Sequence, residues 1–425
     1  MSKRLRQILY MKPAPSAPPW EDAQFISLNM PLPTLGFTQD GWKEMAHPEI
    51  LVEKEKISEF SSLDEWELRK KITNPYEAIF SGSEDSSFPS LAKVHPLSRS
   101  YFKMIEMLHV CKFWSSISPT KPFVSAHICE GPGGFLQNIV EHAKLLKLPI
   151  KALYAMTLKP TKSHIPGWRR SIGFLRKHPQ IQLEYGADDT GNILLQANQK
   201  AFCDRVGSSA SGAGAGTSGA VQSGAVQGQG PSGAVQGQGQ AQPQAQIFTA
   251  DGGFDFSVDY SKQEESAFPL LLASFTIGLK CLAKGGTMII KLFDIYSDVT
   301  QDLFLGSAIF FKSFTLYKPA TSRPCNSERY FMAQGFAGVD AAAKWIKHLE
   351  NAQTAHQTTP LTRLFNDAWP PLVKAAVLEQ IRWQERLQMD AIHNTLTFVK
   401  DTMVERIQKN IETSTNWCKV FNVRY

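Results

Sequence analysis

The stretch that decides the fold begins at Lys284 and ends at Phe336. It reads KGGTMIIKLFD (284–294), then a helical interval, then YKPATSRPCNSERYFMAQGF (317–336). Residues 287–292 form a short apolar, partly β-branched run after a Gly-Gly turn, and such a run predicts a buried strand. Lys291 lies in this run, although an ammonium group is costly to bury. A lysine at a strand end commonly extends to water, but other charged residues of the chain favour a functional role.

Length and composition indicate a globular protein. The chain has 425 residues, of which 43% are hydrophobic and 20% charged, and this is ordinary for such a protein. The net charge of +6 permits a polyanionic partner such as nucleic acid. Six scattered cysteines without a Cys-x-x-Cys pair favour a reducing compartment over a disulfide framework or a zinc site. We expect a soluble protein, because no signal-peptide core is present and the most apolar window (267–283) is too short and interrupted to span a membrane.

Changes in composition divide the chain into three parts. Residues 1–94 begin rich in proline and are interpreted as an N-terminal extension or accessory region, with one helix predicted at 61–72. Residues 95–337 form the predicted catalytic domain, and residues 338–425 a helical extension with a helical apolar period. Within the catalytic domain, residues 207–246 are a Gly/Ala/Ser/Gln tract with a recurring SGAVQ unit, and we expect a disordered insertion there.

Strands and helices alternate through the catalytic domain. This alternation predicts an α/β fold with a mostly parallel sheet and helices on both faces. The predicted strands are 123–129, 150–158, 181–185, 246–250, 287–292, 314–317 and 329–333, the last two as a hairpin-like pair. The predicted helices are 98–110, 136–146, 167–177, 261–282 and 298–312.

A glycine turn follows the first predicted strand of this domain and precedes a helix. It consists of Glu130, Gly131, Pro132, Gly133, Gly134 and Phe135. Glycines let a ligand approach the backbone closely, and a helix N-terminus offers free N–H groups. Ordinary turns use the same residues, but the position between strand and helix favours ligand binding. Asp188 and Asp189 lie in a second loop after a predicted strand and are either ligand contacts or simply an acidic turn.

Four charged residues follow one another in a recognisable order: Lys103 in SRSYFKMIEML (98–108), Asp251 in DGGF, Lys291, and Glu328 in KPATSRPCNSERY. Together with the glycine turn, they resemble the Lys-Asp-Lys-Glu tetrad of FtsJ/RrmJ-like ribose 2′-O-methyltransferases. The resemblance covers roughly residues 95–337, and the contexts of DGGF, AMTLK and the last motif look most like the branch that methylates mRNA caps to form cap-1. Over its whole length, the repeat tract included, the chain is similar to a viral member of the family.

The resemblance implies a Rossmann-like domain that binds S-adenosylmethionine at the glycine turn. It also implies RNA as substrate, no metal ion, action in the cytoplasm of an infected cell, and viral capping or transcription machinery as partner. Lys291 would activate the 2′-hydroxyl, Lys103 and Glu328 would hold the lysine and ribose, and Asp251 would pair with Lys291. A base must be neutral, and whether the pKa of Lys291 falls far enough is open at this stage. Candidate phosphate contacts are Lys159, Lys162, Arg169, Arg170, Lys318 and Arg323.

Two departures from the family pattern leave other interpretations open. His127 stands where related enzymes commonly have an acidic residue, and the strand ending at Leu158 has no carboxylate for the cofactor's ribose. Glu130 or the Asp188/Asp189 pair would then substitute for it. The alternatives are 2′-O-methylation of RNA other than caps, and a catalytically silent RNA-binding subunit on the same fold. Trp168 could stack on a base, but a core position is the favoured interpretation.

Overall fold

The structure is a computed structural model that describes residues 18–39, 48–58, 63–81, 88–161, 167–208, 245–253 and 262–425. Most of the predicted disordered insertion, as well as Lys162, lies outside these residues. The strands in the described part are β1 (Leu35–Thr38), β2 (Phe123–Ile128), β3 (Ile150–Met156), β4 (Ile181–Glu184), β5 (Ala245–Ala250), β6 (Leu282–Leu292), β7 (Phe311–Tyr317), β8 (Arg329–Phe336) and β9 (Arg363–Phe365).

Helices cover both faces of the main sheet and form most of the terminal regions. In the described residues they are α1 (Pro19–Asp22), α2 (Pro48–Ser58), α3 (Leu63–Thr73), α4 (Ser100–Val110), α5 (Phe113–Ser116), α6 (Gly134–Leu145), α7 (Ile172–Lys177), α8 (Gln196–Gly207), α9 (Gln263–Cys281), α10 (Asp298–Ala308), α11 (Val339–Thr358), α12 (Pro371–Leu396) and α13 (Met403–Val420). None of the described helices is both long and apolar enough to cross a membrane.

Seven strands form the main sheet in the order β4-β3-β2-β5-β6-β8-β7. The pairs from β4 to β6 are parallel, whereas β8 is antiparallel to both β6 and β7. All six residues of β2 are buried, as expected for a strand with helices on both faces. The α/β architecture and the hairpin-like final pair of strands are therefore confirmed. In that pair, Lys291 of β6 lies directly opposite Tyr330 of β8.

Several predicted boundaries are wrong by three or more residues, and two of them have a clear physical reason. The helix predicted to reach residue 312 ends at Ala308, because an aromatic-rich run already forms β7 from Phe311, which pairs with Phe336. The strand predicted to start at residue 287 begins at Leu282, directly after α9. Gly285 has a φ of +86° and the register with β5 shifts there, so the Gly-Gly pair makes an irregularity within the strand rather than a turn before it.

The N- and C-terminal regions pack against each other and against the main sheet. Strand β1 pairs antiparallel with β9, and Ile26 forms a bridge with Phe314 at the β7 edge. Trp417 of α13 is fully buried in a cluster with Trp20 and with Phe102 of α4. The C-terminal helices thus lie beside the helix that carries Lys103.

Candidate active site

The four predicted charged residues form two ion pairs at the carboxyl edge of the sheet. Nζ of Lys103, on α4, lies 2.6 Å from Oε1 of Glu328, which precedes β8. Nζ of Lys291 lies 3.2 Å from Oδ1 of Asp251 and donates a hydrogen bond of 2.9 Å to the Asp251 backbone carbonyl. The four side chains are between 10% and 16% exposed, so the cluster is largely desolvated but still open to a ligand.

Burial and neighbouring charge act in opposite directions on these groups. Burial alone would lower the pKa of Lys291, but the carboxylates of Asp251 and Glu328 outweigh it and raise the pKa above its ordinary value. Burial would raise the pKa of Glu328, but the ammonium groups of Lys103 and Lys291 lower it to about 2. Without ligands, Lys291 is therefore charged at neutral pH, which answers the question that the sequence leaves open.

Two hydroxyl groups that the sequence analysis missed hold the two carboxylates. The hydroxyl of Tyr330 donates to Oδ1 of Asp251 at 2.9 Å, and Oγ of Ser322 donates to Oε1 of Glu328 at 2.8 Å. Side chains two residues apart on a strand lie on the same face of the sheet. The position of Tyr330, two residues beyond Glu328, was therefore a signal in the sequence that its side chain reaches the site. These bonds orient the carboxylates toward the two lysines.

Lys318 is one of the predicted phosphate contacts, but its ammonium group binds its own loop. Nζ donates to the backbone carbonyl of Asn326 at 2.6 Å, to Oδ1 of Asn326 at 3.0 Å, and to the backbone carbonyl of Glu328 at 3.0 Å. Burial lowers the pKa of Lys318 to about 7. The protonated amine has three N–H donors, and these acceptors occupy all of them. Lys318 therefore closes the loop 318–328, and the prediction that it contacts phosphate has no donor left to support it.

The glycine turn lies between β2 and α6, beside the two ion pairs. Gly133 has a φ of +105°, a conformation that side-chain-bearing residues rarely adopt. A Cβ on Gly134 would lie 2.2 Å from Oγ of Ser100, so α6 approaches α4 more closely than any larger residue would allow. Phe135 is fully buried, with its ring centroid 6.1 Å from that of Tyr330. The turn and the charged cluster therefore form one continuous site.

The sequence profile of FtsJ-like methyltransferases matches residues 96–336, which is more than half of the chain. The chain belongs to the FtsJ-like methyltransferase family. A cap-specific mRNA (nucleoside-2′-O-)-methyltransferase 1 of Trypanosoma cruzi is 24% identical over 308 residues, which cover 70% of this chain and 73% of the relative. A protein of the same name from Dictyostelium discoideum is 28% identical over 283 residues, 63% of this chain and 31% of the relative. A probable methyltransferase of African swine fever virus is 25% identical over 305 residues, 68% of this chain and 57% of the relative.

In this FtsJ-like methyltransferase, the unusual His127 takes part in a buried hydrogen-bond network. Its Nδ1 lies 2.7 Å from Oγ1 of Thr249 and its Nε2 lies 2.7 Å from Oγ of Ser125, so it joins β2 to β5. Burial lowers the pKa of His127 to about 3, and the ring is neutral. Oε2 of Glu130 accepts from the backbone N–H of Leu136 at 3.1 Å, and the Glu130 side chain is 1% exposed. Burial, reinforced by Asp251, raises the pKa of Glu130. The Glu130 carboxyl group thus caps the FtsJ-like domain's helix α6.

The acidic loop after β4 is exposed and built from its own contacts. Oδ1 of Asp188 accepts from the backbone N–H and the hydroxyl of Thr190 and from Nδ2 of Asn198, at 2.8–3.0 Å. The Thr190 hydroxyl and the Asn198 amide lower the pKa of Asp188. Oδ2 of Asp189 lies 2.5 Å from Nζ of Lys159, and both side chains are exposed. The loop of the methyltransferase therefore brings the exposed Asp189 beside Lys159, which follows β3, a strand whose own end lacks a carboxylate.

The residues at this edge fit S-adenosylmethionine. The strand order reverses at β2, between β3 and β5, and ligands of open α/β sheets bind at the carboxyl ends at such a point. The glycine turn follows β2, the Asp188 loop follows β4 and Asp251 follows β5, so all of them lie at the carboxyl edge of the parallel strands. Glycines that admit close approach, the N-terminus of α6 and exposed carboxylates supply the donors and acceptors that an amino acid and a ribose require.

The remaining predicted RNA contacts differ in their surroundings. Arg169 and Arg170 are exposed beside buried Trp168, which is 7% exposed and packs on the glycine turn, so its predicted core position is confirmed. Nη2 of Arg323 lies 3.5 Å from Oε1 of Glu77. Lys159 pairs with Asp189 and lies over the Tyr185 ring.

Proposed function

We propose that this FtsJ-like methyltransferase transfers a methyl group from S-adenosylmethionine to a ribose 2′-hydroxyl of capped mRNA. The observation that carries the proposal is the arrangement of the Lys103–Glu328 and Lys291–Asp251 pairs beside the glycine turn. A sulfonium methyl is already activated, so the protein has mainly to align the hydroxyl and the methyl carbon and to take up a proton. A desolvated lysine at the meeting point of cofactor and substrate is suited to both tasks.

Lys291 is the residue that we assign to the hydroxyl. When bound, S-adenosylmethionine would supply the methyl group, and the electron pair of its C–S bond would stay on sulfur. Nζ of Lys291 would take the proton of the hydroxyl whose oxygen bonds to the methyl carbon. This requires a neutral amine, whereas Asp251 and Glu328 keep Lys291 charged in the free protein. A positive sulfonium nearby opposes those carboxylates and lowers the pKa. Cofactor binding would therefore increase the neutral fraction of Lys291, while the charged form pairs with Asp251.

The other charged residues hold this geometry. Glu328 accepts from Lys103 and from Ser322, which leaves a fixed carboxylate near the ribose. The glycine turn, with Gly131, Pro132, Gly133, Gly134 and Phe135, would hold the cofactor's amino-acid end through backbone groups. Asp188 and Asp189 would reach its ribose. Glu130 would act through its cap on α6, since its carboxyl group is buried.

Capped mRNA is the favoured substrate for two reasons. The curated relatives from Trypanosoma cruzi and Dictyostelium discoideum bear the name of cap-specific mRNA methyltransferases. The loop SRPCNSERY (322–330) also has the sequence context of the cap-directed branch. Lys159, Arg169, Arg170 and Arg323 are the described candidates for phosphate contacts.

The similarity to a viral protein extends the proposal to the setting of the enzyme. We propose residues 95–337 as the catalytic unit, and the match of the family model to residues 96–336 supports this proposal. We also propose that the enzyme acts in the cytoplasm of an infected cell beside the viral capping machinery.

The test is transfer of a labelled methyl group from S-adenosylmethionine to short RNAs that carry an N7-methylguanosine cap or lack it. Cap-dependent labelling, recovered as 2′-O-methylnucleoside after digestion, supports the proposal. Equal labelling of both RNAs would show that methyl transfer does not depend on the cap and would favour RNA substrates other than caps. Cofactor binding without labelling of either RNA would favour the silent RNA-binding subunit, against which the intact set of four charged residues argues.

A further inference from the structure

Glu106 is a fully buried carboxyl group that the proposed reaction does not use. It lies on α4, one helical turn beyond Lys103, and is 0% exposed. A buried carboxyl group is costly unless donors surround it. The donors to Glu106 include the backbone N–H of Ala320 at 2.7 Å from Oε1, the hydroxyl of Tyr317 on the same oxygen, and Nε1 of Trp417 at 3.1 Å from Oε2.

These three donors belong to three different parts of the chain. Tyr317 ends β7, Ala320 lies in the loop 318–328 that carries Glu328, and Trp417 lies on the C-terminal helix α13. Glu106 itself lies on the helix that carries Lys103. A single carboxyl group therefore links the helix that carries Lys103 to the loop that carries Glu328. The charged atoms of Lys103 and Glu328 are 2.6 Å apart.

Apolar packing reinforces the same connection. Trp417 is fully buried, and its ring meets that of Phe102, the neighbour of Lys103, edge to face at 6.0 Å. Ala320 and Ile105 belong to the same buried cluster. The C-terminal extension thus contacts α4 and the Glu328 loop through both an indole N–H and a ring face.

We infer that the C-terminal helix is a working part of the active site, with Trp417 and Glu106 as positioning residues that hold Lys103 and Glu328 together. The inference rests on the proposed function for its kinetic consequence, but its geometric content is independent of the substrate. It assigns a role to a segment that lies outside the matched family range of 96–336.

The test compares Trp417→Phe with Trp369→Phe. Each change keeps an aromatic ring and removes one indole N–H from a buried carboxyl group, since Nε1 of Trp369 donates to Oδ1 of Asp302 at 2.7 Å. Asp302 lies on α10 and also accepts a hydrogen bond from Arg363, and neither residue belongs to the charged cluster. We expect Trp417→Phe to lower kcat about tenfold with an unchanged Kd for S-adenosylmethionine, and Trp369→Phe to leave kcat within about twofold of wild type.

Crystal structures of both variants supply a readout that does not depend on the substrate. The Lys103–Glu328 separation is expected to exceed about 4 Å in Trp417→Phe and to stay short in Trp369→Phe. An unchanged pair and unchanged kcat in Trp417→Phe would overturn the inference. If Trp417→Phe does not fold, Tyr317→Phe removes a different donor from Glu106. The Lys103–Glu328 separation and kcat of Tyr317→Phe then decide the inference in the same way. Wild-type protein that transfers no methyl to RNA would refute the proposed function instead, and the structural comparison would still decide the inference.

Discussion

The hydroxyl of Tyr330 lies 2.9 Å from Oδ1 of Asp251, the same carboxylate oxygen that lies 3.2 Å from Nζ of Lys291. Tyr330 and Lys291 face each other across the antiparallel β6–β8 pair, so their side chains lie on the same face of the sheet. Asp251 thus receives one neutral and one charged donor. The tyrosine restricts the carboxylate to the orientation in which it meets the lysine.

Tyr330→Phe should therefore lower kcat. Losing a hydrogen bond to a charged group removes about 1.5–3 kcal/mol of interaction, and we expect kcat to fall about tenfold or more while the Kd for S-adenosylmethionine changes little. Steady-state kinetics and a cofactor titration measure the two quantities. Tyr101→Phe is the matched control, because its hydroxyl donates to Glu141 at 2.7 Å without touching the charged cluster. Equal kinetics of the two variants would show that Tyr330 has no such role.

The sequence predicts the sheet well because its strands are continuous buried runs separated by glycine turns. The four charged residues are predicted from their resemblance to the Lys-Asp-Lys-Glu tetrad of the family, and the fold brings them together as two ion pairs. Tyr330 and Ser322 escape because their roles depend on the register between β6 and β8 and on the course of the loop 318–328. Local pattern does not encode such long-range geometry. Lys318 shows the converse, since its charge suggests phosphate whereas the fold places three acceptors around it.

The methyl-transfer rate should rise with pH through the neutral range. Asp251 and Glu328 raise the pKa of Lys291, so the neutral amine is a minor species whose fraction grows about tenfold per pH unit below that pKa. The logarithm of kcat should thus have a slope near one at the lower end of the range, and it should level off where the bound cofactor places the pKa. A Lys291→Arg variant, which stays charged, should be inactive throughout. A flat wild-type profile would assign Lys291 a purely orienting role.

Gly134→Ala should weaken cofactor binding. The added Cβ would lie 2.2 Å from Oγ of Ser100, so α6 must move away from α4 and displace the glycine turn. We expect an increase of about tenfold or more in the Kd for S-adenosylmethionine, measured by calorimetry. Gly173→Ala on α7 is the control, because its Cβ meets no atom within 4 Å and alanine favours a helix by about 0.5–1 kcal/mol. The idea fails if both variants bind the cofactor like wild type.

His127 should make the protein sensitive to mild acid. Its pKa is about 3 in the folded protein and 6.5 as the ordinary value, so the unfolded chain binds a proton that the native state excludes. The contribution of His127 to the free energy of unfolding is complete above pH 6.5. It falls by about 1.4 kcal/mol per pH unit as the pH drops toward 3. Urea unfolding between pH 7 and 5 measures it. His127→Gln should be less stable at pH 7 but show a shallower decline; an equally steep decline would assign the acid sensitivity to other groups.

The buried histidine also illustrates why one departure from the family pattern could not be interpreted from sequence. His127 lies between the hydroxyls of Ser125 and Thr249, and the second of these belongs to a strand more than a hundred residues away. His127 departs from the family pattern near the cofactor site, and in the structure it is a neutral side chain that joins β2 to β5 by hydrogen bonds. The chemistry of the site is then left to the turn and the charged pairs.

The most direct test of the central claim is methyl transfer to capped RNA by Lys291→Met, which keeps the length of the side chain and removes its nitrogen. Lys280→Met is the matched control, because Nζ of Lys280 pairs with Glu350 at 2.9 Å away from the site. We expect Lys291→Met to bind S-adenosylmethionine but to form no detectable 2′-O-methylnucleoside, and Lys280→Met to retain wild-type transfer. Transfer by Lys291→Met at the wild-type rate would contradict the role assigned to Lys291.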